Sequence, residues 1–346
     1  MDSFELLREL MEIPGPTGQE ERVMAWLRER WAPRTKRIWT SKVGNLLAHV
    51  GGEGPILLIQ GHADEISFLV KSIDANGFLW LASGQAGTAD PTKRYPVGQP
   101  ALVLGRREPV EGVFATVTGH ILNAAQRNRD SLEFDDLFVD IGASSRDEVL
   151  ERGIHVGAGV IWNPAVRRLG TRIYGKAIDD RISLAIMTMM LEQVDPADLR
   201  YDVYFAATVQ EEIGLAGAMS LRADVDADLA IALDNGLVGD IPTVSERDMP
   251  TVLGGGPTLV HKDHLVHYDY NLIWRLADLA EREGIPVQHA VYQQFSSDGA
   301  TLLRQGIPTA LIAPATRYTH SAFEMIDERD VDSTLALVKA FVTTAP

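Results

Sequence analysis

Five groups of residues in this 346-residue chain have types and placing suited to holding cations. They are His62-Ala63-Asp64, Asp179-Asp180-Arg181, Glu211-Glu212, Asp234, and His320 within Thr319-His320-Ser321. Each falls where a strand pattern ends or a helical pattern begins. Taken singly, each has a plain structural reading. An acidic pair is most often a solvated turn, and a histidine behind a strand is most often a hydrogen-bonded scaffold residue. Asp234 ahead of Asn235-Gly236 suits turn chemistry. Taken together they read differently. The apolar runs Ile56–Gln60, Val203–Val209 and Leu229–Leu233 each lead straight into one group. Carboxylates at the buried end of an apolar strand are costly to desolvate unless a cation or partner compensates them. Repeated on several strands of one sheet, that arrangement converges negative charge on one edge, and divalent metals would balance it. Nitrogen and oxygen donors without thiolate suit zinc, cobalt or manganese, and histidine weighs against calcium and magnesium.

The elements that must position these residues can be read from periodicity. Helical spacing predicts helices over residues 4–11 and 23–27, the second opened by a capping box between Thr17 and Glu20. Strands are expected at Asn45–Val50 and Ile56–Gln60. From about Lys71 to Gly170 apolar runs are short and turns frequent, with one helical stretch at Ser145–Arg152. From Lys176 onward strands (Val203–Val209, Leu229–Leu233, Val287–Tyr292, Thr309–Ala313) alternate with helices (Arg181–Gln193, Tyr268–Glu283, Gly299–Gln305, Asp330–Val342). Alternation of this kind predicts an α/β fold, a mostly parallel sheet with helices on both faces. Such a sheet carries its site at the carboxyl ends of its strands. The expected division is a catalytic α/β domain from residues 1–70 and 171–346, with a small β-rich domain, 71–170, inserted into it.

Composition bounds the remaining possibilities. An apolar fraction of 45% with 23% charged residues is that of a core-forming chain. A net charge of −16 argues against nucleic acid as a partner. The absence of cysteine excludes disulfides and cysteine nucleophiles. No apolar run is long enough to span a bilayer, and no signal-peptide pattern opens the chain, so a cytoplasmic location and no membrane partner are expected.

The segments GHADEIS (61–67), GKAIDDR (175–181), VQEEIGLAGA (209–218), IALD (231–234) and RYTHSAFE (317–324) resemble, in order and interval, the motif set of the tetrahedral (TET-type) aminopeptidases. That family of two-metal peptidases includes glutamyl and deblocking aminopeptidases. The resemblance extends into the insertion through GHIL (119–122) and LFVDIGASSRDEVLERGI (137–154). It implies two divalent metal ions per subunit, zinc first, with cobalt or manganese as alternatives. Asp179 would bridge them, His62 and Asp234 would complete one, and Glu212 and His320 the other. A hydroxide held between the metals would be the nucleophile, Glu211 the general base, and Asp64 the carboxylate that orients His62. The Asp179–Asp180 peptide would be cis. The implied activity is release of N-terminal residues from short peptides, in a dodecamer assembled from dimers through the inserted domain.

Two departures bear on the substrate pocket. Ser67 stands where the family commonly has glycine, and Gln293 to Gly299 replaces a glycine-rich stretch while retaining Asp298. Asp298 could orient the pocket or a ligand, or cap a helix. Arg317, close to His320, keeps open a carboxypeptidase or deacylase, in which a cation would receive a substrate carboxylate. A carbohydrate hydrolase is the weaker alternative, because two histidines among the ligands are foreign to a pair of opposed carboxylates. His261, His264 and His267 are read as a loop, and Gly254-Gly255-Gly256 matches no phosphate-binding fingerprint.

Overall fold

The computed structural model describes residues 3–84, 96–123 and 133–346. An eight-stranded sheet runs in the order Arg37–Thr40, Leu46–Gly51, Asp202–Thr208, Ile56–His62, Leu229–Leu233, Thr309–Ala313, Thr258–Lys262, Gln288–Val291. The middle four strands are parallel to one another. Antiparallel pairing joins Leu46–Gly51 to both of its neighbours and Thr258–Lys262 to Thr309–Ala313. The sheet is therefore mixed, parallel at its centre and antiparallel toward both flanks. The strands Arg37–Thr40 and Thr258–Lys262 escaped the periodicity reading, since both are short and each mixes apolar with charged or polar residues.

Both faces of the sheet are covered, and the strand sequences say why. Leu57 and Ile59 enter one apolar core, while Leu58 between them enters another. Phe205 and Ala206 divide in the same way, as the two-residue period of a strand requires. The larger core lies under the helices Ser3–Glu12, Ile178–Gln193, Tyr270–Glu283 and Glu328–Thr343. The smaller is closed by Leu221, Leu302 and Ile307. Trp31 anchors the larger one. Its ring is fully buried, meets Phe205 edge to face at 5.5 Å, and donates its indole N–H to Thr188 Oγ1 at 2.9 Å.

Two further sheets complete the fold. A closed barrel of six strands, from Phe68–Ile73 to Gly159–Trp162, holds its own core around Phe68, Phe114 and Trp162. A five-stranded sheet (Arg167–Leu169, Arg172–Gly175, Glu324–Asp327, Ala315–Arg317, Gly236–Leu237) lies beside the ends of the main sheet. No sequence pattern announced this second sheet, because its strands are two to four residues long. It matters for the site, since it brings Lys176, Glu324 and His320 toward the same edge.

The amino-terminal capping box is corrected by the structure. Glu20 makes no capping bond to its helix, Glu21–Trp31. Its Oε1 accepts instead from the amides of Gly18 at 2.7 Å and Gln210 at 3.0 Å, and Thr17 Oγ1 donates to the carbonyl of Glu65. A buried long-range acceptor has displaced the local motif.

Replacing Trp31 with alanine removes the largest fully buried side chain of the core. We expect a loss of about 3–5 kcal/mol, read as a lower denaturant midpoint. Trp31→Phe should lose less, because it keeps the ring and gives up the hydrogen bond to Thr188.

Candidate metal and catalytic centre

The centre forms where three neighbouring parallel strands end level with one another. Thr208 pairs with His62, and Ala232 with Gln60. His62 closes its strand, Asp234 follows Leu233 directly, and Glu211 and Glu212 follow Thr208 through a tight loop. Asp179 arrives from the helix beyond. Asp179 and Asp180 have non-helical dihedrals and are joined by a cis peptide, so regular helix begins at Arg181.

The side chains of His62, Glu211 and Asp234 gather so that one donor atom of each lies within 4.8 Å of the others, and so do His62, Asp179 and Glu212. His62 thus belongs to both clusters. Its Nε2 is 3.0 Å from Asp179 Oδ1. His320 Nε2 stands 3.5 Å from Asp179 Oδ2 and 3.7 Å from Glu212 Oε2. Around these atoms four carboxylates meet two histidines, all deeply buried except the histidine of residue 320, whose side chain keeps 36% exposure.

The electrostatics follow from that imbalance. Burial, aided by neighbouring carboxylates, pushes Glu212 up to about 8 and Asp234 to about 7. Burial together with Asp234 and Glu212 raises Glu211 well above the usual carboxylate range. Asp179 goes the other way. Burial opposes its ionisation, but the hydrogen bonds from His320 and His62 hold it low. His320 is raised against the effect of burial by Glu212 and Asp179, with water screening part of that pull. The raised carboxylates follow from burial with too few cations nearby, whereas Asp179 is held low by the two histidines it faces.

The donors present fit divalent cations. Glu212 Oε1 is buried without a hydrogen-bond partner, as is His62 Nδ1, which lies 3.3 Å from Asp64 Oδ1 but off hydrogen-bond geometry. A nitrogen and oxygen set of this kind, with no sulfur, suits zinc, cobalt or manganese.

Around the cluster stands a ring of groups that hold backbone rather than reach inward. Asp64 accepts from the amides of Glu211 at 3.0 Å and Glu212 at 3.2 Å. Asp180 accepts from the His62 amide at 3.1 Å and from Ser183 Oγ at 2.5 Å. Glu324 accepts from the amides of Asp179 at 2.8 Å and His320 at 3.0 Å. Glu65 receives Lys176 Nζ at 2.9 Å, with Arg181 Nη2 at 3.5 Å. The Arg181 guanidinium also donates to the carbonyls of Leu10 and Ile13, tying the first helix to the site. Sequence reasoning counted Asp180 only among possible cation ligands and gave Glu324, Glu65 and Lys176 no role. All four lie inside its motifs, but residue type alone does not say which carboxylate faces a backbone amide.

Two candidates for the substrate side have other engagements. Arg317 makes a two-pronged pair with Asp240, Nε to Oδ1 at 3.0 Å and Nη2 to Oδ2 closer still. Asp298 is buried, accepting from Gln60 Nε2 at 2.8 Å and Thr208 Oγ1 at 2.6 Å. Ser297, one residue earlier, is the residue that caps the following helix. His261 bonds to His289 on the neighbouring strand, and His264 to the carbonyl of Gln293.

The family model described as M42 glutamyl aminopeptidase matches residues 44–337. A lysyl aminopeptidase of Pyrococcus furiosus is 29% identical over 350 residues, covering 99% of this chain and 97% of its own. The solved aminopeptidase APDkam598 of the archaeon Desulfurococcus kamchatkensis superposes with a TM-score of 0.92 at 30% identity, covering 99% of this chain and 95% of the other. A further structure, PhTET1-12s, a dodecamer, matches with a TM-score of 0.87 at 25% identity over 99% of both chains.

The ion cluster beside the site makes a sharp prediction. Lys176→Met leaves a buried Glu65 carboxylate short of its principal partner, at an expected cost of about 3–5 kcal/mol in chemical unfolding. The double variant Glu65→Gln with Lys176→Met should recover part of that loss.

Proposed function

The chain belongs to the M42 glutamyl aminopeptidase family, of the tetrahedral type, and is an aminopeptidase; from that premise we propose how its residues divide the work. The observation that carries the proposal is the convergence of His62, Asp179, Glu211, Glu212 and Asp234, with buried carboxylates outnumbering positive charges, at one edge of the sheet.

His62 and Asp234 would hold one divalent cation, Glu212 and His320 a second, and Asp179 would touch both. Zinc is the first choice, cobalt or manganese the alternatives. When bound, the pair supplies an activated water and polarises the scissile carbonyl. Glu211 would take a proton from the attacking water and return it to the leaving nitrogen, the two halves of general acid–base catalysis. Asp64 would fix the orientation of His62 from the Nδ1 side while bracing the Glu211 loop.

The substrate proposed is a short peptide with a free N-terminus. A carboxypeptidase would need a cation free to receive the substrate carboxylate, and Arg317 is already paired with Asp240. We further take the insertion expected at 71–170, whose barrel runs from Phe68 to Trp162, as the domain through which dimers form and build a dodecamer, supported by the barrel's own core and by the dodecameric relative. Among the described residues no helix is long and apolar enough to cross a membrane. A cytoplasmic location is proposed on the absence of cysteine, which suits a reducing compartment.

Chelator-stripped protein should be inactive. Zinc, cobalt or manganese should restore release of the first residue from unblocked peptides but not from N-acetylated ones. Glu211→Gln should lower kcat by roughly 10²–10⁴ while two metals per chain remain bound by elemental analysis. Activity on acetylated or C-terminal substrates alone would redirect the assignment to another two-metal amidohydrolase. Light scattering should give the mass of a dodecamer, and a folded protein should resist cleavage that a short peptide does not. A monomer, or equal rates on both substrates, would remove the cage.

A further inference from the structure

The loop that carries Glu211 is held by side chains rather than by strand or helix. Four consecutive amides donate to side-chain oxygens: Val209 to Asn45 Oδ1 at 3.2 Å, Gln210 to Glu20 Oε1 at 3.0 Å, and Glu211 and Glu212 to the two oxygens of Asp64. The acceptors come from three segments, 190, 164 and 147 residues away for the first partner of each. A run of amides bonded in this way has its direction set by tertiary contacts. Asn45 also donates to the carbonyl of Gly217, so it grips both ends of the loop.

Gln210 is where this support is most needed. Its φ is +54°, in the left-handed region that a side chain with a Cβ enters at a cost. The conformation turns the chain between the end of the strand and Glu211. Glu20 is the one side chain bonded to the Gln210 amide, and it sits 4% exposed beneath it. Burial and the nearby Asp64 carboxylate push Glu20 up to about 7, so it occupies this place against its own solvation.

We propose that Glu20 is a positioning residue for Glu211: by fixing the Gln210 amide it sets the turn that aims the base. The proposal rests on the reading of Glu211 as the base. The loop also has bonds of its own, Leu215 to the Glu211 carbonyl at 2.9 Å and Ala216 to the Gln210 carbonyl at 3.1 Å. Losing Glu20 therefore leaves a loop that is formed but poorly aimed, so the rate should suffer where substrate binding and metal content do not. Glutamine at position 20 keeps an acceptor oxygen at the same reach and should substitute.

The test uses the metal-loaded enzyme and its Glu20→Ala, Glu20→Gln and Glu211→Gln variants. For Glu20→Ala we expect kcat to fall roughly tenfold to a hundredfold, with KM and two metals per chain unchanged. Amide exchange of the 209–217 segment should quicken in Glu20→Ala, both with metals and after chelation. Glu20→Gln should recover most of the rate and the protection. An inactive Glu211→Gln beside a fully active Glu20→Ala overturns the positioning role alone. A rate loss in Glu20→Ala that merely tracks lost metal or a lower unfolding midpoint, without rescue by glutamine, also overturns it. An active Glu211→Gln removes the base assignment and this proposal together.

Discussion

The structure is organised around the cost of gathering carboxylates at the buried edge of a sheet. Asp179, Glu211, Glu212 and Asp234 meet with His62 where water is largely excluded. In such surroundings like charges repel strongly and each carboxylate resists ionisation. Compare the neighbouring cluster of Glu65, Lys176 and Arg181, equally buried but matched within itself by two cations of the chain. One cluster carries its own cations, two against the single Glu65 carboxylate, and acts as a pin. The other is short of positive charge, which is the condition a metal centre has to meet.

That imbalance could relax by moving the side chains apart, and the surrounding contacts oppose this. Asp64, Asp180 and Glu324 turn their oxygens to backbone amides at the strand ends and loop turns. Each such bond satisfies an amide that has no ladder partner there, and at the same time fixes the residue next to it. A carboxylate accepting from backbone amides is a strong acceptor in a place where none is available from regular structure. The same residue type thus serves two purposes within a few ångströms, one set bracing the chain and the other facing inward.

The parallel centre of the sheet supplies the geometry for this. Parallel strands end on a common edge, so residues that follow Ile56–His62, Asp202–Thr208 and Leu229–Leu233 are brought side by side without any long loop. The short second sheet adds Glu324 and the approach to His320 from the opposite side. Arg317 in that sheet is paired with Asp240, so it is not free to receive a substrate carboxylate.

The sequence by itself determined the alternation of strands and helices and the strands that lead into His62 and Asp234, and it singled out five residue groups as candidates for binding cations. It could do so because apolar periodicity and residue type are local properties, and because motifs at set intervals carry a family resemblance. It misread Thr17 and Glu20 as a cap, passed over the strands of the second sheet, read Asp180 only as a possible cation ligand, and assigned nothing to Glu65, Lys176 or Glu324. Those outcomes were decided by contacts between residues far apart in the chain: 190 positions from Glu20 to Gln210, 111 from Lys176 to Glu65, 145 from Asp179 to Glu324. Which amide a buried carboxylate accepts from depends on what the folded chain leaves unpaired beside it. That pairing exists only once the tertiary structure has formed.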